Sequence, residues 1–258
     1  MTAPTTGGEA KPFATKQKGL EDLSVDGAAV YWTVSDGKGG GAVMEAPLKG
    51  GAPTKLATMA PSDLGGPLGL VVGESHVQWV HSMAFGSILK VGKAGGGTTT
   101  VASKQRSPFG IAADAAGTYW TTFGAGIADG AVMAAGPKGG EPRVIADHQR
   151  SPWRIASDGK DVFWTVKGPP GAVLKAPIAG GASTTLVADV KDPTSIALDG
   201  EWVYWASDEL DVVKKVKKDG SASVVIAESQ KGPAGLALDA TSVYWPNKAD
   251  GTIMKAPK

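Results

Sequence analysis

Six of the eight tryptophans fall in one recurring context: Val30-Tyr31-Trp32, Val77-Gln78-Trp79, Thr118-Tyr119-Trp120, Val162-Phe163-Trp164, Val203-Tyr204-Trp205 and Val243-Tyr244-Trp245. The intervals between these tryptophans are 47, 41, 44, 41 and 40 residues, and all four tyrosines of the chain sit immediately before one of them. A period of this size marks a repeat architecture, in which each copy is one supersecondary unit that needs its neighbours to bury its faces.

The copies read alike. A proline opens a short apolar run, as in Pro193-Thr194-Ser195-Ile196-Ala197-Leu198-Asp199. The tryptophan comes six residues after the Asp slot, followed by a glycine-rich stretch and a run such as Ala172-Val173-Leu174-Lys175-Ala176-Pro177. A Gly-Gly turn and a last apolar run close the copy. Four β-rich runs between turn residues, with no helical periodicity, predict four short strands. The expected fold is therefore all-β: a six-bladed β-propeller with four antiparallel strands per blade.

The blades are expected at about 19–61, 62–106, 107–150, 151–191, 192–231 and 232–258 plus 7–18, in one domain spanning 1–258. The sixth copy stops after its third run, at Met254-Lys255-Ala256-Pro257-Lys258, while Gly7-Gly8-Glu9-Ala10-Lys11-Pro12-Phe13-Ala14-Thr15 matches the fourth run of the first copy. The N-terminal strand is thus expected to complete the last blade, close the ring and remove an open sheet edge.

Composition narrows the function classes. With 42% apolar and 20% charged residues the chain is a folding one. No apolar run is long enough to span a bilayer. Lys+Arg 26 against Asp+Glu 25 leaves no field that would draw in nucleic acid or anionic lipid. The absence of cysteine removes disulfides, thiolate zinc sites and cysteine nucleophiles. Met1-Thr2-Ala3-Pro4 does not read as a secretory leader.

The pattern Pro-x-x-Ile-Ala-x-Asp, then Val-Tyr-Trp-Thr, then Gly-x-Ile-x-Lys-Ala-Pro resembles the six-bladed YWTD and NHL-type propellers over essentially the whole chain. Tyr31-Trp32-Thr33 and Tyr119-Trp120-Thr121 carry three of the four signature letters. The fourth slot holds Val34, His81, Thr122, Val166, Ser207 and Asn247, never aspartate, so the cross-blade aspartate network of the receptor subfamily does not carry over. The resemblance implies a habit of binding ligands or proteins and an extracytoplasmic mature form. It implies no reaction, because propellers host many chemistries.

Loop lengths separate scaffold from elaboration. The distance from Asp slot to tryptophan is six residues in every copy, whereas that from tryptophan to the third-strand Val or Ile is 11, 9, 12, 9, 8 and 8. The join between Leu56 and Pro67 is also lengthened. These variable loops, among them 35–41, 123–130 and 59–66, all belong to one face, the top, which is the expected binding face.

The two residues after the proline slot are expected to point at the top of the central channel. They read Glu21-Asp22, Leu68-Gly69, Phe109-Gly110, Trp153-Arg154, Thr194-Ser195 and Ala234-Gly235. Small residues are the norm there, and Asp22, Trp153 and Arg154 break the pattern. Six-fold symmetry would set Glu21 and Asp22 across the mouth from Trp153 and Arg154, a pairing of guanidinium and indole suited to a carboxylate, phosphate or planar ligand. His81 ends a second strand at the top, Asn247 holds the same slot of the last copy, and Asp208 lies in a second-to-third-strand loop.

The expected ligand-binding set is Glu21, Asp22, His81, Phe109, Trp153, Arg154, Asp208 and Asn247. No catalytic residue or metal ligand is assigned. The three histidines show no metal-binding spacing, and no serine elbow or His-carboxylate dyad appears. The reading is a monomeric, cofactor-free binding or scaffold propeller that takes a small ligand or a protein on its top face. The alternatives are an enzyme with its site at the channel mouth, a lyase or lactonase-like hydrolase, with calcium held by mouth carboxylates, and a lectin with sites between blades. A lectin calls for polar residues repeated in every copy, but the polar exceptions here are specific to single copies.

Overall fold

The computed structural model describes residues 13–60, 65–124, 126 and 128–258. The chain divides into two compact units, Met1–Gln105 and Arg106–Lys258. Among the described residues all regular structure is β.

The first unit holds two sheets. One runs β1 (Leu20–Val25), β2 (Ala29–Ser35), β3 (Gly41–Pro47), β4 (Thr54–Met59), and the other β5 (Gly66–Val72), β6 (His76–Ser82), β7 (Gly86–Gly92), β8 (Thr99–Gln105). The second unit holds four. The first of these comprises β9 (Pro108–Asp114), β10 (Gly117–Thr122), β11 (Gly130–Ala135) and β12 (Arg143–Gln149). Next come β13 (Pro152–Ser157), β14 (Asp161–Val166), β15 (Gly171–Pro177) and β16 (Thr184–Val190). Then follow β17 (Pro193–Leu198), β18 (Trp202–Ser207), β19 (Val212–Lys217) and β20 (Ser223–Ala227), and last β21 (Ala237–Leu238), β22 (Ser242–Asn247) and β23 (Thr252–Pro257). Each sheet is an antiparallel meander in sequence order, so each is one blade.

Of the segment expected to complete the sixth sheet, 7–18, residues 7–12 lie outside the described residues and 13–18 form no strand. Among the described residues that sheet has three strands. Its first strand is cut to Ala237–Leu238 because Gly232 and Gly235 sit at φ 71° and 63°, which break an extended run. Phe13 and Ala14 pack on Val30, Trp32 and Ala46 of the first blade.

The repeated aromatic pair fills the junctions between blades. Neighbouring residues of a strand face opposite sides of its sheet, so within each unit the Tyr or Phe of one blade meets the Trp of the next. Tyr31 clusters with Trp79, Tyr119 with Trp164, Phe163 with Trp205 and Tyr204 with Trp245. Burying one such side chain fully is worth about 1.5–3 kcal/mol.

The constant lower loop has a cause. Asp26, Asp114, Asp158, Asp199 and Asp239 each accept, through Oδ1, the N–H groups two and three residues on. This turn fixes loop length. The tyrosine five residues later donates its hydroxyl to the same aspartate in four blades, as in Tyr204 to Asp199 at 2.7 Å. The next blade adds a donor: Lys93 to Asp26 at 2.6 Å, Ser157 to Asp114, Lys218 to Asp158 at 2.8 Å, and Lys258 to Asp199 at 3.4 Å.

A second latch joins blades nearer the top. Trp32, Trp164 and Trp245 donate their indole N–H to Gln17, Gln149 and Gln230, each fifteen residues earlier, at 3.0, 3.1 and 2.9 Å. Each glutamine folds back, donating its amide to the carbonyl two residues before it. The residue between, Lys16, His148 or Ser229, turns the chain at φ 60°, 53° or 55°. Trp79 uses Met59 Sδ instead, at 3.1 Å, where the join is longer.

Candidate functional site

The expected site residues sit in β-bulges, and the bulges explain their direction. In β13 against β14 the register passes from Pro152↔Val166 to Ile155↔Trp164, so Trp153 and Arg154 together oppose Thr165. In β9 against β10 it passes from Pro108↔Thr122 to Ile111↔Trp120, leaving Phe109 and Gly110 opposite Thr121. In β1 against β2, Glu21 and Asp22 oppose Thr33. A bulge leaves a residue unpaired and re-aims its side chain. The buried threonine closes it: its Oγ1 accepts the second residue's N–H, from Asp22 at 3.1 Å, Gly110 at 2.9 Å and Arg154 at 3.1 Å. This is the physical role of the threonine that follows the tryptophan.

In the second unit the bulges bring aromatic rings together. The Phe109 and Trp153 rings stack with centroids 3.6 Å apart and planes 24° from parallel. Phe123, in the loop after β10, tilts against both, at 5.5 Å from Phe109 and 5.2 Å from Trp153. All three are half-buried. Two cations attend the rings: the Arg154 guanidinium lies 5.3 Å from the Phe109 centroid, and Lys167 Nζ lies 4.2 Å from that of Trp153. Lys167 also pairs with Asp192 at 3.0 Å.

Gly110 makes this approach possible. A Cβ there would stand 2.4 Å from the Trp153 carbonyl oxygen and 3.2 Å from Arg154 Cα. Thr121 then ties the two blades, since its hydroxyl accepts from Gly110 N–H and donates to that same carbonyl at 2.8 Å. The rings rest on buried, hydrogen-bonded backbone rather than on a loose loop.

Phe123 and Lys167 were not expected from the sequence, yet a signal for them exists. Both stand three residues after the repeated tryptophan, a slot that elsewhere holds Ser35, Ser82, Asp208 and Lys248. The backbone N–H of this slot donates to the residue just before the proline slot: Ser35 to Gly19, Phe123 to Ser107, Lys167 to Ser151, Asp208 to Asp192 and Lys248 to Gly232. Its side chain therefore emerges beside the bulge.

Asp208 and Asn247 of the second unit make contacts of their own, and Glu21, Asp22 and His81 lie in the first unit. Asp22 acts in the scaffold of the first unit. Its Oδ1 accepts Leu23 N–H at 2.9 Å and its Oδ2 accepts Leu70 N–H of the next blade at 3.0 Å. Glu21 is exposed. His81 is half-buried, with Nε2 3.4 Å from the Gly39 carbonyl. Asp208 pairs with Lys248 at 2.6 Å. Asn247 is 4% exposed, its amide directed at Gln230 and Thr252, while its Oδ1 is buried without a partner.

The upper carboxylates are engaged elsewhere: Asp129 with Arg106 at 3.5 Å, Glu209 with Lys191 at 3.5 Å and Asp250 with Lys231 at 3.4 Å. Among the described residues no three His, Cys, Asp or Glu converge as a metal-binding group. A cleft of about 490 Å³ in the first unit, lined among others by Lys16, Lys18, Asp36, Lys55 and Met59, contains none of the expected site residues.

Comparison with known proteins agrees with this architecture. No protein-family model and no curated protein matches the sequence. Solved structures do match. The structure titled nidogen/laminin complex superposes with TM-score 0.70 at 17% identity, covering 89% of each chain. The chain is a six-bladed β-propeller. A streptogramin B lyase matches with TM-score 0.70 at 12% identity, over 94% of this chain and 84% of that one. The PQQ-bound aldose sugar dehydrogenase of Streptomyces coelicolor matches with TM-score 0.67 at 16% identity, over 96% of both. At these identities the likeness is one of fold, and the fold is shared by a protein of a complex and by enzymes.

Proposed function

We propose that the protein is a binding propeller that takes its ligand at the top of the third and fourth blades, on the platform formed by Phe109, Phe123 and Trp153. The observation that carries this reading is the ring stack itself. Three half-buried aromatics break the repeat in adjacent blades, and they converge on one spot held by Gly110 and Thr121. Core packing does not require them, because the copies place Leu68, Thr194 or Ala234 where Phe109 and Trp153 stand. Apolar rings with a few placed polar groups are the usual make-up of a ligand site.

Binding is preferred to catalysis because the polar groups around the rings are a guanidinium, an ammonium and the carboxylate paired with it. These groups orient and neutralise a ligand.

A thermal-shift screen of small organic acids, amines, sugars and peptides, on the wild type and on Trp153→Ala, tests the reading. A ligand at 100 times its dissociation constant adds about 2.7 kcal/mol, a rise of roughly 5–10 °C at this size. Hits are expected to lose their shift in Trp153→Ala. Hits that keep their full shift in that variant would place the site elsewhere, and chemical turnover of a hit would turn the reading toward the enzyme.

A further inference from the structure

The first unit holds a site of its own, which does not depend on the platform. We infer that its cleft of about 490 Å³ binds an aliphatic chain with an anionic head, the chain on Val34, Ala42 and Met44 and the head at Lys16, Lys18 and Lys55. The volume lies in the roughly 300–1,000 Å³ range of small-molecule sites.

Strand register builds the apolar floor. In β2 against β3, Trp32 stands opposite Met44 and Val34 opposite Ala42, and in β3 against β4, Met44 stands opposite Lys55. Directly opposed residues share a face of the sheet, as does every second residue along a strand. Trp32, Val34, Ala42, Met44 and Lys55 therefore lie on one face. Trp32 is 2% exposed, while Val34 and Met44, packed against it, stay half-buried. Among the described residues no aromatic side chain lines the cleft, so the floor is aliphatic and thioether, with no ring face to stack on.

The repeat shows which charges lack a partner. In five copies a cation stands fourteen residues before the repeated tryptophan: Lys18, Arg106, Arg150, Lys191 and Lys231. Three of them pair with a carboxylate of the following second-to-third-strand loop: Arg106 with Asp129, Lys191 with Glu209 and Lys231 with Asp250. The loop that follows Arg150, Lys167-Gly168-Pro169-Pro170, has no acid to offer. The loop that follows Lys18 has Asp36, but its Oδ1 accepts the N–H groups of Lys38 at 2.7 Å and Gly40 at 2.9 Å. Among the described residues Lys16, Lys18 and Lys55 form no ion pair. Three ammonium groups repel a cationic head. Being compact charges on flexible stems, they take a carboxylate or a phosphate monoester without requiring a fixed fork.

Hexanoate, octanoate and decanoate are the probes, with octyl phosphate, 1-octanol, octylamine and inorganic phosphate alongside, all at neutral pH. Binding is measured by calorimetry and by methionine ¹³C-methyl signals, that of Met44 assigned through its loss in Met44→Leu. Octanoate is expected to move the Met44 signal and to leave those of Met133 and Met254, in the second unit, in place. Each added methylene is expected to tighten binding about fourfold. Octylamine and 1-octanol are expected to bind about tenfold or more weakly than octanoate. The double variant Lys18→Gln/Lys55→Gln is expected to bring octanoate to the level of 1-octanol, with the melting temperature within a few degrees of wild type. Octyl phosphate binding more tightly than octanoate assigns a phosphate head, and the reverse assigns a carboxylate. Octylamine or 1-octanol binding as tightly as octanoate would overturn the anionic head. An affinity that ignores chain length, or that inorganic phosphate matches, would overturn the aliphatic chain. If no probe moves the Met44 signal the site falls, whatever the outcome at Trp153.

Discussion

The indole N–H of Trp205 is buried in the same core cluster as Val190 and has no acceptor. Val190 stands fifteen residues before it, at the place where Gln17, Gln149 and Gln230 supply a carbonyl oxygen to their own tryptophans. The preceding residue, Asp189, keeps the left-handed turn of that position at φ 54°. The fifth blade therefore retains the backbone of the latch without its acceptor.

Val190→Gln is expected to restore the bond and raise stability by about 1 kcal/mol, a gain of roughly 2–4 °C in the melting temperature. Gln149→Leu is expected to do the reverse, at a cost of about 1–3 kcal/mol for an orphaned indole donor. Paired thermal and urea melts of the two variants check both signs. A lower melting temperature for Val190→Gln would show that the loss of valine packing outweighs the new bond.

Gly110→Ala puts a Cβ 2.4 Å from the Trp153 carbonyl oxygen, a backbone atom that yields only if the fourth blade shifts. The variant is expected to lose about 1–3 kcal/mol by overpacking and to open the Phe109–Trp153 stack. Near-ultraviolet circular dichroism reports the stack, and a denaturant melt reports the stability.

Asp22→Ala removes the acceptor of Leu70 N–H, which joins the first blade to the second. The expected cost is about 1–3 kcal/mol. Asp22→Asn keeps an oxygen at that place and is expected to retain most of the stability. Hydrogen exchange at the Leu70 amide distinguishes the two, being faster in the alanine variant.

The lower-face aspartates set an acid limit. Lys93 and the Ala28 and Ala29 amides hold the Asp26 carboxyl well below its ordinary range. Burial pushes Asp199 up, but the Tyr204 hydroxyl and two amides outweigh it and bring it down from 3.8 to about 2. A carboxyl whose folded value is depressed stabilises the fold above its unfolded value, and that stability is lost as pH falls through the folded one. Stability is therefore expected to fall between pH 3.8 and about 2 on account of Asp199. Lys93→Met is expected to make the acid slope shallower by releasing Asp26. Equal slopes in urea melts of wild type and variant across that range would overturn the assignment.

At high pH the sign reverses. Burial and the nearby Asp26 push Tyr31 from 10.0 up to about 12. A group raised in the folded state gives stability that is full below its unfolded value and lost as pH climbs through the folded one. Stability is expected to fall between pH 10 and 12, and less steeply in Tyr31→Phe, as followed by tyrosinate absorbance during alkaline melts.

Much of the site was visible as departures from the repeat. Trp153 and Arg154 stood out because small residues are the norm there, Phe109 fills the same slot one blade earlier, and the structure brings all three together. Asp22 stood out equally, and its carboxylate accepts the Leu70 N–H of the next blade, a partner that the identity of a residue does not reveal. Phe123 and Lys167 lie in a loop and at a strand end whose lengths vary between copies, so their shared slot was hidden until the backbone bond to the pre-proline residue aligned them.

The chain by itself determined the six antiparallel blades, because strand alternation, turn residues and the spacing of the repeated tryptophan are local and recur in every copy. Tertiary structure decided which side chains share a site. Phe109 and Trp153 are 44 residues apart in the sequence, and they stack because two bulges turn them toward one junction. A glycine between the blades lets their backbones close to contact distance. Directions set by a bulge and distances set by a missing Cβ are properties of packed strands.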